Sequence, residues 1–326
     1  DNYSAGQDLW AYYFLFDIPI IEQVKLLSGL RYENSLQKVS TYELYKENPA
    51  TVESRLHTKD DILPATILTY EFLRDMPLIE SMQVRAGFSI TVSRPDFREL
   101  SPITSSEVEQ SGETQGNPNL KRALIYNYDL RLEWYLSSDE SLSLGFFYKH
   151  FKRPIETIYL PGSADSRTYQ NARSARNIGV EFEWRKGLGF LEKSLEDLYL
   201  AGNFSYINSE IAVPNQKKRP LQGQSPFVVN LMIGYDNIDW GTSLALLYNV
   251  FGKRIQVVGD SGGPDTYEQP FHQIDFVASQ KLGSGFKAGL KFKNILDLPA
   301  TATKGDKTIE RYLKGREISL SLSWEY

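Results

Sequence analysis

Strict alternation of apolar and polar residues is the main pattern of this chain, and residues 317–326 show it most cleanly. Apolar side chains there occupy every second position, from Ile318 to the aromatic Tyr326. Successive side chains of a strand point to opposite faces, so the segment predicts a β-strand with one wholly apolar face. We expect an outer-membrane barrel strand, because the last residues of a soluble chain usually fray.

The same alternation predicts about thirteen strands and no long amphipathic helix. In segment 126–135, for example, Tyr128 and Leu130 alternate with Asp129 and Arg131. A face this charged cannot line a dry sandwich core without a large desolvation cost, although one side of an antiparallel sheet can lie in water. The predicted strands cover residues 7–20, 24–34, 63–73, 83–93, 126–135, 142–148, 177–185, 198–207, 227–236, 242–251, 272–280, 286–293 and 317–326.

The connections between these strands alternate between short and long. This order places all long loops at one end of an up-and-down meander, as in transmembrane barrels with short periplasmic turns and long extracellular loops. We therefore predict an all-β protein, a transmembrane antiparallel up-and-down β-barrel with Tyr326 at the periplasmic rim. The long connections are residues 35–62, 94–122, 151–176, 208–226, 252–271 and 294–316.

Composition narrows the function classes. The 326 residues contain 41% hydrophobic, 24% charged and 13% aromatic residues, and no run approaches the ~20 apolar residues of a spanning helix. Cysteine is absent and only three histidines occur, so we expect no metal site and no cofactor. The formal net charge of −5 gives no reason to expect a nucleic-acid partner.

The strand count bears on the extent of the chain. Single-chain bacterial barrels have an even number of strands, whereas the pattern predicts thirteen. No signal peptide opens the sequence. We therefore expect the chain to lack an N-terminal portion of the protein.

Four motifs resemble one family. Residues 93–102 read Ser-Arg-Pro-Asp-Phe-Arg-Glu-Leu-Ser-Pro, and residues 116–121 read Gly-Asn-Pro-Asn-Leu-Lys before a Tyr-rich strand. Residues 294–297 read Asn-Ile-Leu-Asp, and residues 315–316 read Gly-Arg before the last strand. Together they are similar to the C-terminal barrel half of TonB-dependent receptors. We expect the motifs to set scaffold geometry rather than contact a ligand, since Pro and Gly end or turn strands.

The resemblance implies that residues 1–326 are the C-terminal portion of a barrel of about 22 strands, in the outer membrane of a Gram-negative bacterium. The family's plug domain, energy-coupling box and first strands have no counterpart here. The implied function is energised uptake of a scarce solute: a metal chelate, vitamin, glycan or peptide. Implied partners are outer-membrane lipid and lipopolysaccharide, TonB and the inner-membrane motor through the absent plug, the barrel-assembly machinery, and a surface lipoprotein.

Two alternatives stay open at this stage, namely a structural barrel subunit of a larger envelope assembly and a passive diffusion pore. Whether transport is energised or passive, aromatic and cationic residues of the long loops are the candidates for substrate binding. The last strand would act as the assembly signal through Trp324 and Tyr326. The substrate-binding candidates are Arg98, Tyr159, Tyr169, Arg173, Arg254 and Tyr267.

One segment resembles an enzyme motif but lacks its context. Residues 259–264 read Gly-Asp-Ser-Gly-Gly-Pro, as around the nucleophile of chymotrypsin-like proteases. That chemistry requires a Ser, a His and an Asp together, and His57 is not in the sequence context of a catalytic histidine. We interpret the segment as a turn, which Gly, Asp, Ser and Pro favour, and expect no enzyme activity.

Overall fold

The computed structural model describes residues 2–42, 52–77, 79–106, 113–160, 166–212, 218–259 and 263–324. Strands dominate these residues, and none of their helices has the length and apolar character to span a membrane. The helices are α1 (Phe97–Leu100) and a single 3-10 turn (Lys193–Leu195). In chain order the strands are β1 (Asn2–Ile21), β2 (Val24–Tyr42), β3 (Val52–Met76), β4 (Ile79–Ser93), β5 (Thr104–Ser106), β6 (Glu113–Gln115), β7 (Ala123–Ser137), β8 (Glu140–Lys152), β9 (Ile155–Tyr159), β10 (Ser166–Asn171), β11 (Ser174–Gly187), β12 (Leu198–Ala212), β13 (Phe227–Asn237), β14 (Thr242–Phe251), β15 (Arg254–Val257), β16 (Thr266–Glu268), β17 (His272–Gly283), β18 (Phe286–Lys293), β19 (Pro299–Lys304), β20 (Lys307–Leu313) and β21 (Glu317–Trp324).

Thirteen strands form one antiparallel sheet in the order β1-β2-β3-β4-β7-β8-β11-β12-β13-β14-β17-β18-β21. Each corresponds to one predicted strand, so the predicted count and the up-and-down meander are confirmed. The connections alternate between tight turns and long excursions, also as predicted. Within the described ranges, β1 and β21 each pair on one side only. Tyr326 lies outside the described residues.

One predicted long connection, residues 35–62, is wrong. β2 and β3 continue as a paired hairpin on its two sides, and the pairing reaches Thr41 and Val52. The ladder shifts register between Glu33 and Ser35, and Asp60 adopts a left-handed backbone with φ of 59° opposite this shift. Such a bulge interrupts the side-chain alternation without ending the strands, so the sequence pattern breaks where the sheet does not.

Four of the other five long connections contain strands that the alternation did not predict, and the described part of residues 208–226 adds only the end of β12 and a bridge between Ile211 and Arg219. Eight short strands form two four-stranded sheets, one in the order β5-β6-β10-β9 and one in the order β15-β16-β19-β20. A parallel bridge between Ile158 and Val258 joins the two sheets. We call these two sheets, with α1 and the segments that link them to the main sheet, the extracellular layer, because long loops of outer-membrane barrels face outward from the cell.

The two faces of the main sheet differ in chemistry. Side chains at even positions in the middle of β7, β8 and β11 are apolar or aromatic and only partly covered, among them Tyr128 (46% exposed) and Ile178 (55% exposed). The rings of Phe88, Tyr128 and Tyr148 lie side by side, with centroids 5.0 and 6.0 Å apart. This is the lipid-facing surface of a barrel. The opposite face carries the charged and amide side chains, and we call it the lumen face.

Candidate functional site

A cluster of charges lies at the top of the lumen face, where β4 and β7 meet the extracellular layer. Arg94 follows β4, and its guanidinium lies 2.7 Å from the Glu33 carboxylate and 3.2 Å from that of Asp61. Arg122, just before β7, forms a second ion pair with Asp61. All four side chains are largely buried. Arg31, which is more exposed, also lies 2.6 Å from Glu33. Each of the two buried carboxylates is thus paired with two cations, which is the condition for holding charge in such a place.

Hydrogen bonds to and from backbone groups hold the segment after Arg94 in place. Asp96 caps α1 by accepting from the amide of Arg98, and Glu99 accepts from the amide of Asp96, which completes a capping box. Asn117 donates its backbone N–H to the Glu99 carbonyl at 2.6 Å. A Cβ at Gly116 would lie 1.9 Å from the Ser101 carbonyl oxygen, so only glycine fits there. These contacts agree with the expectation that the motifs set scaffold geometry.

A small apolar core lies beneath this segment. Val39 of the β2 extension packs with Leu100 and Leu120, and the rings of Phe97 and Tyr169 cover them. The β2–β3 hairpin is therefore anchored to the connection between β4 and β7. Sequence alternation alone could not identify these contacts, because the side chains come from β2, from the connection between β4 and β7, and from β10.

Polar side chains hold the two small sheets together. Glu156 of β9 is fully buried and bonds both guanidinium nitrogens of Arg219, at 2.9 and 3.0 Å. Gln222 accepts from the amide of Thr157 and donates to the carbonyl of Gln256, which bridges β9 and β15. The extracellular connections are thus parts of one bonded layer rather than independent loops.

Four of the predicted substrate-binding residues lie in the first half of this layer. Tyr159 is 5% exposed, with the Lys304 ammonium 4.3 Å from its ring centroid. Arg98 and Arg173 are exposed, the first on α1 and the second just before β11. Tyr169, a fourth, packs on the core around Val39.

The remaining two candidates lie on neighbouring strands. Arg254 of β15 pairs with Glu268 at 2.6 Å and lies 4.2 Å from the ring of Phe251. Tyr267 of β16 is half-buried, and burial together with the Asp265 carboxylate raises the pKa of its phenol. The Lys253 ammonium lies 4.4 Å from its ring centroid. The layer thus brings Arg254 and Tyr267 together, while substrate contact by any of the six residues stays a prediction.

A row of polar side chains crosses the lumen face at one level. Register places one member on each of eight neighbouring strands. Asn249 donates to Asn230 at 2.6 Å, and Asn230 donates to Asn203 at 2.8 Å. We call this set the polar row; its members are Gln83, Glu133, Ser143, Glu183, Asn203, Asn230, Asn249 and Gln273.

Charges flank one end of the polar row. Arg131 bonds Glu183 on β11 at 2.6 Å and Glu133 on its own strand at 2.9 Å, and Arg85 lies 3.1 Å from Glu133. A cavity of about 580 Å³ opens here and includes Arg185 in its lining. Each asparagine of the row was visible in the sequence as a polar position, but only the register shows that they line up.

The enzyme-like segment is only partly described, since residues 260–262 lie outside the described ranges. The amide of Gly259 donates to the Asp265 carboxylate at 2.8 Å, as in an ordinary turn. His57 lies 3.3 Å from the amide oxygen of Asn34. No group of three His, Cys, Asp or Glu that could hold a metal ion occurs in the described ranges.

A family model described as "TonB dependent receptor-like, beta-barrel" matches residues 1–295. The chain belongs to the TonB-dependent receptor family. It is therefore a protein of the outer membrane of a Gram-negative bacterium, as the resemblance implied.

Curated relatives of this TonB-dependent receptor are longer than the chain. The iron-regulated outer membrane virulence protein of Vibrio cholerae serotype O1 is 26% identical over 197 residues, which are 59% of this chain and 30% of that protein. The chain thus spans less than a third of its relative's length.

Solved receptor structures share the fold. The copper transporter OprC superposes with a TM-score of 0.67 at 16% identity, over 99% of this chain and 48% of that one. The siderophore receptor PiuA from Acinetobacter baumannii superposes with a TM-score of 0.65 at 13% identity, over 99% of this chain and 44% of that one. The ferric yersiniabactin uptake receptor FyuA from Yersinia pestis superposes with a TM-score of 0.64 at 14% identity, over 98% of this chain and 46% of that one. That this chain has no enzyme activity stays a prediction.

Proposed function

We propose that this chain forms the C-terminal part of the barrel of an outer-membrane receptor that takes up a ferric chelate. Uptake is driven through TonB and the inner-membrane motor, acting on a plug domain encoded outside residues 1–326. Support for iron comes from the names of similar proteins, which include an iron-regulated outer membrane virulence protein, a siderophore receptor and a ferric yersiniabactin uptake receptor.

The observation that carries the proposal is the bonded extracellular layer above a polar lumen face. A receptor must hold its ligand-contacting groups at fixed positions, and a layer tied by Glu156, Arg219 and Gln222 does so. Arg254 and Tyr267 are the groups that we assign to the chelate, because a cation and a phenol suit an anionic, aromatic ligand. A passive pore needs no such layer.

The barrel itself is completed by further strands. An open sheet edge is not stable in lipid, because unpaired backbone groups have no water to bond. We therefore place additional N-terminal strands of the full-length protein between β1 and β21. Insertion of the closed barrel would use the barrel-assembly machinery, with Trp324 of β21 and Tyr326, two positions later in the sequence, as its signal.

The test is uptake of radioactive iron by a strain deleted for the full-length gene and grown without free iron. We expect the wild-type gene to restore uptake from at least one ferric chelate, and only when TonB and the proton-motive force are intact. Restored uptake that continues without TonB would assign a diffusion pore instead. No uptake of any ferric chelate by a correctly inserted protein would overturn the iron assignment.

A site variant tests the assigned groups. We expect Arg254→Ala combined with Tyr267→Ala to lower the affinity of cells for the chelate about tenfold or more, since a charged contact and a buried ring contact are both lost. Lys307→Ala, an exposed cation on β20, is the matched control. Equal affinity of the double variant and the control would remove Arg254 and Tyr267 from the binding site.

A further inference from the structure

Lysines follow one another along the lumen face of β17 and β18. Register places Lys287 opposite Lys281 and Lys291 opposite Val277, on the face that carries the polar row. Lys293 lies on the same face of β18, two positions beyond Lys291. The stretch of β18 from residue 287 to residue 293 is about 20 Å long, since a strand rises about 3.3 Å per residue. We call this set the lysine track; its members are Lys281, Lys287, Lys291 and Lys293.

The charge of the lysine track is balanced only at its outer end. Lys293, next to the extracellular layer, lies 3.0 Å from the Glu317 carboxylate. The inner end adjoins the tight turn between β17 and β18, and short turns of such barrels face the periplasm. Within the part of the chain that the structure describes, the other three ammonium groups form no ion pair. Unbalanced positive charge therefore lies toward the periplasmic end of the lumen.

Two members of the lysine track are direct neighbours. Lys281 and Lys287 are register partners on adjacent antiparallel strands. Like charges directly opposite each other destabilise such a pair of strands. An anion held between or beside the two ammonium groups would remove this repulsion.

Cations elsewhere on the lumen face of the strands have partners. Lys25 lies 2.9 Å from Asp17, for example, and Arg85 lies 3.1 Å from Glu133. The lysine track thus differs from the rest of the wall in its lack of balancing groups. The other cations with a carboxylate partner are Arg31, Arg74 and Arg131, and those that lie over an aromatic ring are Lys149 and Arg185.

Small side chains surround the ammonium groups. Gly289 lies between Lys287 and Lys291 on β18, and a Cβ there would lie 2.5 Å from the Ser321 hydroxyl. The lumen face of β21 beside it carries only serines at the paired positions 319, 321 and 323. No bulky neighbour on β21 therefore shields Lys287 or Lys291 from a solute in the lumen.

We propose that the lysine track is a binding site for multiply charged anions on the lumen wall, and that it draws an anionic chelate toward the periplasm. The identity of the solute as a ferric chelate rests on the proposed function. Charges of one sign in a confined passage raise the local concentration of the opposite charge and speed its arrival, by about 10–10³-fold. Because the unbalanced lysines lie at the inner end, the attraction acts inward.

The first test measures the charge of the wall in the full-length receptor in detergent. Residues 1–326 contain no cysteine, so Ser321→Cys adds a thiol beside the lysine track. We expect this thiol to react faster with the anion sulfonatoethyl methanethiosulfonate than with its trimethylammonium analogue, each rate taken relative to free cysteine. Lys287→Gln combined with Lys291→Gln should lower this preference about tenfold. Mass spectrometry of the peptide that contains residue 321 measures both reactions.

Matched controls use the same face of the sheet. Lys25→Gln combined with Lys149→Gln removes the same charge from distant lumen positions and should leave the preference at Ser321→Cys unchanged. A thiol introduced by Ser205→Cys, opposite Glu181 on β11, should show no preference for the anion. Heat-modifiable migration on a gel confirms that each variant is folded.

The second test uses cells and the radioactive ferric chelate that supports uptake by the wild type. The variant with Lys287→Gln and Lys291→Gln should bind the chelate on ice with unchanged affinity but import it about tenfold more slowly at saturation. Lys287→Arg combined with Lys291→Arg keeps the charge and should import at the wild-type rate. A merely structural role would lower the amount of folded receptor rather than the rate for each receptor.

Several results would overturn the inference. Equal reaction of the Ser321→Cys thiol with both reagents would show that carboxylates outside residues 1–326 neutralise the lysine track, which would then be an internal contact. An unchanged import rate in the glutamine double variant, or import of neutral and cationic chelates alone, would also contradict it. Absence of any ferric chelate uptake together with a clear anion preference at the thiol would instead remove the proposed function and leave the anion site in place.

Discussion

The main sheet and the extracellular layer of this receptor are held together by different means. In the sheet, each interior strand is hydrogen-bonded to a neighbouring strand on both sides, and its side chains face either the lipid or the lumen. In the layer the strands are short, and buried polar side chains such as Glu156 join segments that are far apart in the chain. Stability of the sheet is therefore spread over many equivalent bonds, whereas stability of the layer is concentrated in a few groups.

This difference indicates where a single substitution should lower stability most. Loss of one side-chain hydrogen bond in the sheet leaves the backbone ladder intact. Loss of one ion pair or hydrogen bond between connections of the layer detaches a whole connection from the layer. Stability of the main sheet and order of the extracellular layer are thus separable properties of the chain, and the following variants should separate them.

The largest effect is expected from Arg219→Ala, because it leaves the Glu156 carboxylate buried without its cation. Breaking a buried ion pair costs about 3–5 kcal/mol. We expect fast hydrogen–deuterium exchange in β9 and β15 with no change in the main sheet. Arg55→Ala removes an exposed partner of Glu53 and is the matched control. Uniform loss of protection in both regions would contradict the comparison.

A smaller effect is expected from Gly116→Ala, which places a methyl group against the Ser101 carbonyl. Overpacking of this kind costs about 1–3 kcal/mol. Limited proteolysis on whole cells should cut between β4 and β7 more readily. Gly6→Ala on β1, where a Cβ meets nothing within 4 Å, should leave the cleavage rate unchanged.

Within the sheet, Asn230→Ala should lower stability by only about 1 kcal/mol, the net value of a typical hydrogen bond. Both neighbours in the polar row lose a partner, but the ladder between β12, β13 and β14 persists. Thermal unfolding of the purified barrel measures the change, with Ser205→Ala on β12 as control. A loss as large as that of Arg219→Ala would show that the sheet also depends on single side chains.

The smallest effect concerns pH and the capping box of α1. Burial raises the pKa of the Glu99 carboxyl; the hydrogen bond from the Asp96 amide opposes this shift, and the Asp96 carboxylate adds to it. A carboxyl whose pKa is raised by folding binds protons more readily in the folded state, so its contribution to stability falls as pH rises through that pKa. We expect protection of α1 to weaken from pH 4 to pH 7 in the wild type and to stay constant in Glu99→Gln.

The sequence was sufficient to predict the sheet, because every sheet strand repeats one local rule. Alternating faces locate Ala123–Ser137 and Phe286–Lys293 without any knowledge of their neighbours. The rule failed at residues 35–62, since the bulge at Asp60 shifts the alternation within a continuous strand.

The candidate site was far less predictable. The loop motifs identified the segments around Arg94 and Gly116, but not their partners Glu33 and Ser101, which the fold brings in from elsewhere. The polar row required seven strand registers, and the tie between Glu156 and Arg219 joins two connections. Contacts of this kind depend on long-range pairing, about which the composition of a single segment contains no information.

Two of the asparagines of the polar row donate in the same direction. Asn249 gives its amide hydrogen to Asn230, which gives its own to Asn203. The three amide dipoles are therefore aligned head to tail across β14, β13 and β12. Because Asn230 donates on one side and accepts on the other, its amide cannot be reversed alone without loss of both bonds. The stretch thus has a single direction of donation across the lumen face.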